Sequence, residues 1–124
     1  MSDDWRNWHG GTRGVSVGQL ADGEQATFVG VGEPFRQDTS MADDVLHVPV
    51  RVGDAPDGFA DIGGDPIDPE ETYNIISSSG VFFDAFVQAF PSGDAVTGAE
   101  FVVFAHQADP DDPMSRTYEI GVDR

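Results

Sequence analysis

The chain has 124 residues, and 23 acidic side chains against six basic ones give it a formal net charge of -17. All six basic residues are Arg, and neither Lys nor Cys occurs. That excludes disulfides and thiolate metal sites, and three widely separated His residues (His9, His47, His106) do not make a structural zinc site. One domain with one core is expected at this length, and the 39% hydrophobic content with nine Phe argues against disorder.

Residues 1–22, with Trp5-Arg6-Asn7-Trp8-His9-Gly10-Gly11, show no sustained period and read as an irregular N-terminal arm. Trp is costly to leave in water, so Trp5 and Trp8 are expected to pack on the domain or on a protein partner. A single domain is expected over residues 23–124. Its first strand runs through Glu24 to Gly32, with glycines marking a bulge, a bend or close backbone approach. A polar connection over residues 37–44 leads to the cleanest alternation in the chain, Val45 to Val52. There Leu46, Val48, Val50 and Val52 share one face, and His47, Pro49 and Arg51 share the other, which is expected to meet water or a ligand. Pro49 lacks a ladder donor and predicts a bulge or an edge at that point.

Residues 53–71 are rich in Gly, Pro and Asp and predict a long loop with room for a short hairpin. Thr72 to Ser77 reads as a third strand. Ser78 or Ser79 can then cap a short helix whose positions Phe82, Phe83, Phe86, Val87 and Phe90 recur at helical spacing, with Pro91 and Gly93 as stops. Ala99 to Ala105 and Arg116 to Val122 complete the set as two strands around the turn-rich Asp109 to Pro113. The longest apolar run, Phe101 to Ala105, is far too short for a membrane span, and Met1 to Trp5 has no leader pattern. A cytoplasmic protein without a membrane partner is expected.

Five strands with a short helix between the third and fourth resemble the OB-fold, a partly open Greek-key β-barrel. The resemblance covers Gly23 to Val122 and is carried by element order: a strand ending in Ser, a short helix, a turn ending in Gly98, an apolar strand and a final Tyr118-Glu119-Ile120 strand. Dispersed Asp in place of Lys resembles the composition of extreme halophiles, so a small acidic OB-fold protein of a halophilic archaeon or its virus is the expected type. Self-repulsion at -17 is felt over a Debye length of roughly 10 Å at 0.1 M salt and of only roughly 3 Å at 1 M.

The resemblance implies a nucleic-acid face around strands 2 and 3 and their neighbouring loops. On this chain it falls to Arg36, His47, Arg51 and Arg116, with Phe35, Phe59 and Tyr118 as stacking platforms for single-stranded nucleic acid. Arg suits such a face because it pairs bidentately with phosphate and stacks on bases. The alternative is a protein-interaction or assembly subunit working through the Trp5/Trp8 arm and a sheet edge. Asp61, Asp65, Asp68, Glu70 and Glu71 crowd one loop but do not follow an EF-hand spacing, so no metal and no cofactor is assigned. No nucleophile elbow, P-loop, dinucleotide fingerprint or H-E-x-x-H helix is present, and a non-enzymatic protein is expected.

Overall fold

Side-chain alternation and tight turns decide the architecture, as described for residues 13–38, 45–77 and 80–123 in a computed structural model. The strands are β1 (Arg13–Val15), β2 (Gln25–Gly30), β3 (Phe35–Gln37), β4 (Val45–Val52), β5 (Thr72–Ser77), β6 (Glu100–His106) and β7 (Thr117–Asp123). One α-helix, α1 (Gly80–Ala89), lies between β5 and β6, and 3-10 turns occupy Val17–Gln19 and Gly93–Val96. The protein is therefore a mostly β domain with one helix. Its sheet runs β1-β5-β4-β2-β6-β7, with β3 also on β4, and it is not closed into a barrel.

Seven strands stand where five were expected, for two local reasons. The first expected strand, Glu24 to Gly32, forms β2 and ends at Gly30, and Phe35–Gln37, outside any expected strand, adds β3; both pair antiparallel with β4. Pro49 lies opposite residues 31–34, between Val50 (paired with Gly30) and His47 (paired with Phe35), and Val31 N–H donates to its carbonyl at 2.9 Å. The missing proline donor is tolerated because the neighbouring strand steps away there, leaving a gap in the pairing where Pro49 predicts a bulge or an edge. The second addition is β1, which pairs parallel with β5 from Arg13↔Tyr73 to Val15↔Ile75. Residues 13–20, expected within an irregular arm, thus supply a strand and a helical turn, and they place Val15, Val17 and Leu20 in the core. The remainder of the arm, with Trp5 and Trp8, lies outside the described residues.

One face of the sheet is core. Ala26 and Phe28 of β2, Leu46, Val48, Val50 and Val52 of β4, and Phe101 and Val103 of β6 are all buried, as strict alternation requires. Helix α1 closes that face with Phe82 and Phe86, and Phe90 just beyond it extends the stripe at i, i+4, i+8. Val87, expected on the stripe, is 44% exposed instead. It lies one position past Phe86, about 100° round the helix from the buried line. The capping role expected of Ser78 or Ser79 lies outside the described residues. None of the described helices is long and apolar enough to cross a membrane.

Candidate functional site

The structure disperses the seven residues of the expected nucleic-acid face. Phe35 and His47 meet across β3 and β4, their rings stacked at 4.9 Å with planes 3° apart. The stack corrects one expectation: His47 is not on a solvated face but fully buried, because β3 lays Phe35 over it. Arg51, on the same face of β4, is exposed as expected. Arg36 follows Phe35 on β3 and so points to the opposite face, where its guanidinium sits 4.5 Å over the Phe83 ring of α1.

The other three serve the fold. Phe59 is buried beside Phe28, with ring centroids 6.4 Å apart, and is not an open platform. Tyr118 is buried edge-on to Phe82 at 5.7 Å. Arg116 ties the β6–β7 connection to the core. Its Nη1 donates to the Pro113 and Ser115 carbonyls at 2.7 and 2.8 Å, and its Nε to the Leu20 carbonyl at 3.2 Å.

Burial pushes the Tyr118 hydroxyl pKa up, with the Arg116 charge opposing. A raised folded-state value means the native state holds this proton more tightly than the unfolded chain. The stability so gained is complete below the ordinary tyrosine value of about 10 and is lost as pH rises through the folded-state value. Urea midpoints should therefore fall on the alkaline side of about pH 10. Tyr118→Phe should flatten that limb relative to wild type, and an unchanged limb would show that Tyr118 does not cause it.

The acidic loops are occupied by their own backbone and by Arg13. Asp61 Oδ2 and Asp65 Oδ2 accept from Arg13 Nη1 at 3.0 and 2.9 Å, and Asp61 Oδ1 accepts from the Asp65 N–H. Hydrogen bonding to Asp61 pushes the Arg13 pKa up. Asp68 accepts from the Glu70 N–H, and Asp109 and Asp112 accept from Asp111 and Met114 in the same way. These are turn-forming bonds. Among the described residues no group of three His, Asp or Glu is arranged to hold a metal ion.

A different part of the molecule is built as a surface feature. Strand β7 ends the sheet and pairs with β6 only, among the described strands. Two hollows flank it. On the outward face, a depression of about 410 Å³ is lined by Gln25, Thr27, Glu100, Val102 and Gly121, with the backbone neighbours Phe101 and Val122. Gly121 makes it, since a Cβ there would come within 3.3 Å of Val102. Toward the core side, a groove of about 320 Å³ runs between α1 and β7, with Ala85, Gln88 and Ala89 on the helix and Tyr118, Glu119 and Ile120 on the strand. Glu119 is exposed and lies 3.5 Å from His106 Nε2. Sequence reasoning reaches this strand but misses its setting. The signals are Gly121 interrupting an alternating strand and the small residues Ala85 and Ala89 spaced four apart on a helix.

Over 127 aligned residues the chain is 45% identical to a viral protein named "Uncharacterized protein ORF30" (virus isolate Australia/Victoria), an alignment that covers 96% of this chain and 98% of that one. No protein-family model and no solved structure matches it.

Proposed function

The chain belongs to the same protein family as the viral ORF30 protein, and on that premise we propose that it is a non-enzymatic interaction module, an assembly subunit that engages another protein along the β7 edge. The observation that carries this reading is the seven-residue strand β7, which pairs on one side only among the described residues and has a hollow on each face. Proteins normally cover, shorten or charge such an edge, because its unpaired N–H and C=O groups template another strand. An OB-like descent of the fold is part of the proposal. With β2 as the first, the five expected strands lie in the order third, second, first, fourth, fifth, with the helix between third and fourth. That order supports an OB-like Greek key left open between its third and fifth strands, and β1 sits on β5 at that opening.

Single-stranded nucleic-acid binding is the second reading. It is favoured by the half-buried Phe35 and exposed Arg51 on one face of β4, and weakened by the dispersal of the rest. Photo-crosslinking separates the two. With a benzoylphenylalanine at position 88 or at position 51, cells making the chain should yield protein adducts from 88 and none from 51. A labelled dT oligonucleotide should show no saturable binding to the purified protein. Nucleic-acid adducts at 51, or oligonucleotide binding that Arg51→Ala weakens by about tenfold or more, would reverse the order of the readings.

A further inference from the structure

The two ends of the sheet are finished differently. At one end the edge of β5 is covered by β1, an extended segment that pairs parallel and carries one Arg. Arg13 is clasped by Asp61, whose side chain is fully buried, and by the exposed Asp65. At the other end β7 has no such cover among the described residues. Resting on the reading that this edge is the interaction site, we infer that its occupant is a cationic extended segment of another protein, which adds to β7 as a strand and sets Lys or Arg against Glu119 and Glu100.

Shape and alternation give the first argument. A strand added to β7 sends successive side chains to opposite faces of the sheet. On the inward side they meet the groove beside α1, where Ala85, Ala89 and Ile120 leave room for short side chains beside the polar Gln88. On the outward side they pass Glu119 and the depression left by Gly121, with Glu100 one strand further. An occupant that alternates apolar and basic residues matches both sides at once.

Charge gives the second. The residues bounding the two hollows include Glu100 and Glu119 and no Arg or Lys, while His106 Nε2 stands 3.5 Å from Glu119. A second copy would bring its own Glu119 and a further -17 to the contact, and like charges facing across a strand pair are destabilising. A basic segment turns the same carboxylates into attraction. The β1 edge shows that arrangement within this chain: an extended segment, one Arg, and carboxylates waiting at the sheet end.

The test is an amide-shift titration of the isotope-labelled full chain with the heptapeptide Arg-Val-Arg-Val-Arg-Val-Arg, the spectrum itself reporting that the fold is intact. Shifts are expected in residues 117–123 and 85–89. Two versions of the peptide, N-methylated on alternate residues in the two phases, keep its charge. The version that blocks the donors facing β7 should lose binding and the other should keep it. Glu119→Arg, an exposed substitution, should weaken binding about tenfold, and raising KCl from about 0.15 M to about 2 M should weaken wild type while sparing the apolar part. Shifts scattered over the acidic surface, equal binding of both N-methylated peptides, or indifference to Glu119→Arg would overturn the inference. A neutral Thr-Val peptide separates the two levels. If it adds to β7 as well as the cationic one does, the partner class falls and the edge reading stands. If no peptide shifts β7, both fall.

Discussion

Gly30→Ala is expected to destabilise the protein by about 3 kcal/mol, near the upper end of what inserting a single extra group into a packed site costs. A Cβ built at Gly30 would lie 2.0 Å from the Val96 carbonyl oxygen and 2.5 Å from Val96 Cγ1. The nature of the first obstacle decides the size of the effect. At Gly14 the nearest atom is also 2.0 Å away, but it is Ile76 Cδ1, the tip of a side chain that can change rotamer. At Gly30 it is backbone, and that backbone is held. Gly30 N–H donates to the Ala99 carbonyl at 2.9 Å, and Gly98 N–H donates to the Gly30 carbonyl at 2.8 Å. Moving the 93–96 turn aside breaks the join between β2 and the lead-in to β6. Urea unfolding of Gly30→Ala and Gly14→Ala should show a large loss of midpoint in the first and a markedly smaller one in the second, with similar slopes. Equal losses would mean that the turn gives way as easily as a side chain.

Gly30 also illustrates what the sequence does and does not disclose. That glycines over 30–32 mark a bulge, a bend or close backbone approach is readable from the chain, and so is a bulge or an edge at Pro49, because both are local consequences of backbone chemistry. What presses on Gly30 is Val96, far along the chain, and no periodicity reports it. The same division runs through the rest. Alternation places Leu46, Val48, Val50 and Val52 in the core, where they lie. It also puts His47 on an open face, since nothing local shows that β3 lays Phe35 over that ring. β1 escapes such reading because three residues, Arg13-Gly14-Val15, carry too little pattern, and parallel pairing with β5 depends on a partner distant in the chain. The Arg residues are the natural places to look in a chain without Lys. Two of them, Arg13 and Arg116, turn out to tie sheet and loop together, a use that a list of basic residues cannot distinguish from ligand binding. The β7 site is legible only in part, as a terminal strand with a glycine in it.

Phe101→Ala should cost about 3–5 kcal/mol, a large fraction of the about 5–15 kcal/mol that holds a domain of this kind together, and it should lower the urea midpoint correspondingly. Phe101 is 1% exposed and is the hinge of the aromatic core. Its ring lies 5.6 Å from Phe28 in the sheet, 5.3 Å from Phe90 and 6.5 Å from Phe86, the last two edge-on. Each such contact adds about 0.5–1.5 kcal/mol beyond area burial, so truncation loses the attachment of α1 to the sheet as well as the buried surface. The control is three residues along the same strand. Phe104 pairs with Glu119 on the outward face and is only half-buried, so Phe104→Ala should cost under about 1 kcal/mol. The contrast tests the alternation of β6 directly, because a one-residue slip in its pairing would exchange the two faces. Because α1 forms one wall of the groove beside β7, Phe101→Ala should also weaken any strand added there, whereas Phe104→Ala should leave that wall standing. Near-equal losses of urea midpoint in the two variants would remove both the assigned face of β6 and the groove that depends on it.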